Sequence, residues 1–121
     1  MNNYNSSDKR KFLRYEVLDY AVVNDGLATT INAVIVDIGL GGLQLRSKHN
    51  LPIGSRIRLQ IGRLHQEPIN LLGEVRHTSE VENSDLVAAG IRFCPETHED
   101  RLAIAEYVHG VFQRQCDKLL I

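Results

Sequence analysis

Along most of the chain apolar residues alternate with polar ones, and this period of two limits the fold more than any other feature. In residues 55–62, Ile57, Leu59 and Ile61 fall on one side, and Arg56, Arg58 and Gln60 on the other. That spacing is the mark of a strand with one buried face. Residues 69–77 repeat it with Ile69, Leu71, Gly73 and Val75, and residues 43–47 with Leu43 and Leu45. Tyr15 to Val23 is rich in β-branched and aromatic residues, and residues 28–38 read as its returning strand after the turn signal Asn24-Asp25-Gly26. A last strand spans residues 86–94. Six short strands at fairly regular spacing predict a mainly β fold, an antiparallel β-barrel.

The period changes after Pro95. Thr97 is placed to cap a helix, and Asp100 suits the positive end of its dipole. Leu102, Ala105, Val108, Phe112, Cys116 and Leu119 recur every three or four residues. They predict an amphipathic C-terminal helix over about 98–119 whose stripe buries against the barrel or, failing that, another subunit. With 121 residues and no Pro- or Gly-rich linker, the chain is read as one domain over 9–121. Residues 1–8, small and polar, are read as a flexible tail ahead of a basic arm at 9–14, with the barrel over about 14–94.

Composition narrows the function. No run approaches the roughly 20 apolar residues of a membrane span. Two cysteines, Cys94 and Cys116, without a leader-like start, point to free thiols in a cytoplasmic setting. The five histidines form no metal-ligand spacing, so no metal site is expected, and both cysteines fall on apolar faces as small buried hydrophobes. No nucleophile elbow or Walker loop is present, so the chain reads as a binding protein with no catalytic residues and no cofactor.

The net charge of −1 hides an asymmetry. Residues 1–14 hold Lys9, Arg10, Lys11 and Arg14 against Asp8, a net +3, while the rest carries −4. Such a distribution does not suit a long polyanion, so no nucleic-acid partner is expected. It does suit a small anion. Arg10 and Arg14 lie four apart, and guanidinium forks grip phosphate oxygens and the O6 and N7 edge of guanine. At the end of the second strand, Asp37-Ile38-Gly39-Leu40-Gly41-Gly42 makes a glycine-rich connection to the next one. Antiparallel pairing of the first two strands would bring the arginines beside Asp37, whose carboxylate can accept from guanine N1 and N2.

These two stretches resemble the motifs of the PilZ family of bacterial cyclic di-GMP receptors. The first, R-x-x-x-R, is complete at Arg10-Lys11-Phe12-Leu13-Arg14, and the second, [D/N]-x-S-x-x-G, is matched at Asp37 and Gly42. Gly54, Gly73-Glu74-Val75 and Gly90-Ile91-Arg92-Phe93 also look like the family, and the resemblance covers about 9–112. It implies a six-stranded PilZ-like split barrel with a C-terminal helix. It implies cyclic di-GMP held by Lys9, Arg10, Arg14, Asp37, Gly39 and Gly42. Lys9, just before the first arginine, would bear on whether one ligand or a stacked pair binds. His77 falls near a position where relatives often carry an aromatic or basic residue, which implies a stacking contact.

The departure is Gly39, which stands where the motif has serine and withdraws one hydroxyl. The expected function is therefore a cytoplasmic cyclic di-GMP receptor or adaptor. Its N-terminal arm changes conformation on binding and signals to a protein partner in motility, biofilm or exopolysaccharide control. The alternative is a ligand-independent adaptor of the same fold with a weakened nucleotide site. The chain is expected to be a monomer or a homodimer.

Overall fold

The computed structural model describes residues 15–25, 30–63 and 65–119. Lys9, Arg10 and Arg14 lie outside the described residues, as does the tail at 1–8. The elements are β1 (Tyr15–Asn24), β2 (Thr30–Ile38), β3 (Gly42–Ser47), β4 (Arg56–Arg63), β5 (Gln66–Glu80), β6 (Val87–Phe93) and α1 (His98–Leu119). All neighbouring strands are antiparallel and close in the order β1-β2-β3-β6-β5-β4. Closure comes from β1, which pairs with β2 along one edge and with β4 along the other.

The alternating residues fill the interior. Ile57, Leu59 and Ile61 of β4 meet Ile69, Leu71 and Val75 of β5, with Leu43 and Leu45 of β3 and Ile91 of β6, all buried. Arg56, Arg58 and Gln60 stay exposed, as their register requires. With the interior filled by apolar side chains, Ser47 being the buried polar residue among those described, and no strand edge left open, recognition falls to the outer surface.

α1 starts where the sequence places it. The Asp100 amide donates to Thr97 Oγ1 at 3.1 Å, and Asp100 Oδ2 accepts from the amides of Thr97 and Glu96 at 3.1 and 2.8 Å. This reciprocal cap satisfies three backbone donors at the helix start.

The face that α1 turns to the barrel differs from the one its spacing predicts. The buried side chains are Ile104, Tyr107, Val108 and Val111. Of the expected stripe only Val108 is buried; Leu102, Ala105, Phe112 and Leu119 are exposed and Cys116 is half-buried. The reason is a polar contact that hydropathy does not register. The Tyr107 hydroxyl donates to Asp19 Oδ2 of β1 at 2.5 Å, and Arg114 donates to both Asp19 oxygens at 3.2 and 3.0 Å. Arg63 adds a tie at 2.8 Å to Glu106. These contacts fix the rotation of the helix, so the barrel side takes Tyr107 with its hydroxyl satisfied. Cys94 is half-buried too, so neither thiol is the fully buried hydrophobe expected of it.

Asp19 links helix docking to pH. Burial raises its carboxyl pKa, but the hydrogen bonds from Arg114 and Tyr107 outweigh burial and hold it below the ordinary carboxylate range. Burial and the neighbouring carboxylate push the Tyr107 hydroxyl well above the usual phenol range, so it stays a donor. Because the folded pKa of Asp19 lies below its unfolded value, its stabilisation is in place above about pH 4 and is lost as pH falls through the lowered value. Tyr107→Phe should lower the unfolding free energy by about 1 kcal/mol in urea titrations. Asp19→Asn should make urea midpoints fall less steeply than those of the unsubstituted protein between about pH 5 and pH 2.

Candidate functional site

The β2–β3 turn is built around its glycines. The Gly39 amide donates to the Gly42 carbonyl at 2.9 Å, and the Phe93 amide of β6 donates to Gly41 at 3.0 Å. At Gly42 the chains approach so closely that a Cβ would stand 2.1 Å from the Ile91 carbonyl oxygen. The β6 backbone at Ile91 and Arg92 leaves no room for a side chain there, which is why glycine is needed before β3 can lie against β6.

Strand register then lines up one row across the outer face. Glu16 pairs with Asp37, Asp37 with Gln44, Gln44 with Gly90, and Gly90 with His77. This row runs over β1, β2, β3, β6 and β5. Its floor is low at Gly90, where a Cβ would meet the His77 imidazole at 2.2 Å. The ring of His77 thus covers the bare Gly90 backbone while remaining exposed to solvent. Asp37 and Gln44 are half-buried beside it.

Register shifts fall at Glu16/Asp19, Ile35/Asp37 and Val75/His77, next to this row on three strands. Bulges re-aim side chains and increase local twist. Here they bring Asp37 and His77 to the outer face at positions where uninterrupted alternation would reverse them.

Charge surrounds the row. Below it, Gly42 pairs with Arg92, Arg92 with Glu74, and Glu74 with Arg56. Arg92 donates to Glu74 at 2.9 Å, and Arg76 stands 3.7 Å from the same oxygen. The Arg92 hydrogen bond holds the Glu74 carboxyl below the usual carboxylate range. Above the row, Arg46 is half-buried, and its buried Nε has no hydrogen-bond partner among the described residues. Arg46 is a site-flanking residue that motif reading passes over. Alternation could have found it, since Arg46 must face outward with Gln44 once Leu43 and Leu45 face in.

The structure thus brings Asp37, Gly39, Gly42 and His77 onto one outer surface. Tyr15 pairs with Ile38, so Arg14 is one peptide bond from a residue that opens β1 opposite the end of β2. Among the described residues, no group of three or more His, Cys, Asp or Glu could hold a metal ion, and no helix is long and apolar enough to cross a membrane.

The two site glycines make contrasting expectations. Gly42→Ala must displace backbone and should cost about 1–3 kcal/mol, the range for overpacking. Gly90→Ala meets only a side chain that can rotate into solvent, so its urea midpoint should stay close to that of the unsubstituted protein while the His77 ring resonances move.

Comparison with known proteins agrees with this geometry. The PilZ domain family profile matches residues 8–110. No curated protein sequence matches the chain. Among solved structures, the PilZ domain of YcgR from Escherichia coli with c-di-GMP aligns with a TM-score of 0.73 at 11% identity, covering 93% of this chain and 98% of that one. The K. pneumonia MrkH complex with c-di-GMP aligns at 0.74 with 14% identity, covering 92% and 56%. The Bacillus subtilis inhibitor of motility MotI/DgrA aligns at 0.69 with 18% identity, covering 92% and 53%. The chain spans about half the length of MotI and MrkH.

Proposed function

The chain belongs to the PilZ domain family, and from that premise we propose that it is a receptor for cyclic di-GMP, a binding protein rather than an enzyme. The observation that carries the reading is the β1–β2 register. Tyr15, which follows the R-x-x-x-R stretch in sequence, stands opposite Ile38, next to Asp37 and the turn to Gly42. Two of the similar structures, YcgR and MrkH, were solved with c-di-GMP bound.

In this reading the ligand lies on the outer face of β2, β3, β6 and β5. Arg10 and Arg14 grip phosphate oxygens and guanine edges, with Lys9 adding positive charge. Asp37 accepts from a guanine, on the same outer surface as the His77 ring that lies over Gly90. His77 offers an aromatic ring for stacking. The phosphates draw the basic arm over the barrel, and the surface shown to a protein partner changes with it. The net −4 on residues 15–121 disfavours nucleic acid on the rest of the barrel.

Gly39 sets the affinity. Its missing hydroxyl withdraws one hydrogen bond from the ligand, so Gly39→Ser should tighten binding between about two- and tenfold. Titration calorimetry with cyclic di-GMP should give saturable binding that Arg14→Ala weakens by at least about tenfold, the loss of a charge-assisted hydrogen bond. Binding unchanged by Arg14→Ala would overturn the site. No heat in the unsubstituted protein, with binding regained in Gly39→Ser, would favour the ligand-independent adaptor.

A further inference from the structure

Two of the described arginines are half-buried, Arg46 on β3 and Arg63 on β4, and the chain treats them in opposite ways. Arg63 donates through Nε and Nη2 to the Glu67 carbonyl at 2.9 and 2.6 Å, and through Nη1 to Glu106 at 2.8 Å. Arg46 makes no hydrogen bond or ion pair among the described residues, and its Nε is buried. Its partners in register are Val34 on β2 and Ala88 on β6, short apolar side chains that offer a guanidinium no acceptor. Two acids of β5 and of the turn after it are already engaged, Glu74 by Arg92 and Arg76, and Asp85 by Lys48. Drawing a guanidinium partly out of water with its donors unmet is costly. An acceptor that arrives from outside the chain accounts for its place.

The position of Arg46 says which acceptor. It stands two residues along β3 from Gln44, on the same outward face, and Gln44 pairs with Asp37. Asp37 and Arg46 are therefore diagonal neighbours on adjacent strands, at a separation of about 7–8 Å. A carboxylate that accepts from guanine N1 and N2, and a guanidinium that donates to O6 and N7, address adjoining edges of one base. Building on the receptor reading above, on which this inference rests, we propose that Arg46 reads the base. It donates to O6 and N7 of the guanine whose N1 and N2 face Asp37. The residue makes the site selective, because adenine presents an amino donor where guanine has its O6 acceptor. Arg46 belongs to neither of the two sequence motifs, so motif matching alone does not report this selectivity.

Phosphate is the other acceptor that suits a guanidinium, and the test separates the two. Calorimetry uses the full chain with cyclic di-GMP and with an analogue carrying carbon in place of each guanine N7. Arg46→Met should weaken cyclic di-GMP binding by at least about tenfold, the loss of a bidentate base contact. The analogue should bind the unsubstituted protein less tightly than cyclic di-GMP does, and in Arg46→Met that penalty should be at least about twofold smaller. An equal penalty in both proteins puts Arg46 on a phosphate and overturns the base contact. Binding that Arg14→Ala weakens and Arg46→Met leaves unchanged overturns the role of Arg46 and keeps the receptor. No heat in the unsubstituted protein overturns both. Without ligand, the urea midpoint of Arg46→Met should equal or exceed that of the unsubstituted protein, since methionine keeps an apolar stem and removes the unmet donors. A lower midpoint would give the guanidinium a structural acceptor and overturn the proposal.

Discussion

The pairing of β1 with both β2 and β4 is the constraint on which the rest depends. It removes the sheet edges and gives the interior to apolar side chains from all six strands. A barrel of this size has no room inside for a ligand, because Leu43, Leu45, Ile57, Leu59, Ile61 and Leu71 occupy it. The chemistry of the chain is therefore confined to its outer surface, its turns and its helix. The same pairing starts β1 opposite the end of β2, beside the glycine turn. In the proposed reading, two motifs separated by more than twenty residues in sequence form one site through a register that the core enforces, since a slip by one residue would expose every inward side chain.

Local pattern made the strands legible. The inward residues of β3, β4 and β5 follow from alternation, and the start of α1 follows from Thr97 and Asp100. What sequence could not supply depends on contacts between distant segments. The neighbourhood of β3 and β6 and the need for glycine at Gly42 appear only when Ile91 comes within reach. The placement of His77 over Gly90 depends on a bulge in β5 that no residue pattern announces. The helix face was misread because Leu102, Phe112 and Leu119 are as apolar as Ile104 and Val111. Tyr107, half polar, decides between the two faces through Asp19, 88 positions away in sequence.

β1 carries two jobs within a few residues. Its first residue stands against the end of β2, and Asp19 holds α1 through Tyr107 and Arg114. The end of β2 and the helix are thereby attached to one strand. In the proposed reading, the glycine in place of the motif serine removes one contact with the ligand and leaves the framework of the surface intact, because that framework rests on Gly42, Gly90 and strand register.

The account stands most directly on where the nucleotide touches the chain. An amide resonance titration with cyclic di-GMP tests it residue by residue. The account predicts saturable shifts at Asp37, Gly39, Gly42, Gln44 and Gly90, together with those of Arg10 and Arg14, and smaller changes along β4. A spectrum unchanged at millimolar ligand, or shifts confined to α1 and β4, would contradict it.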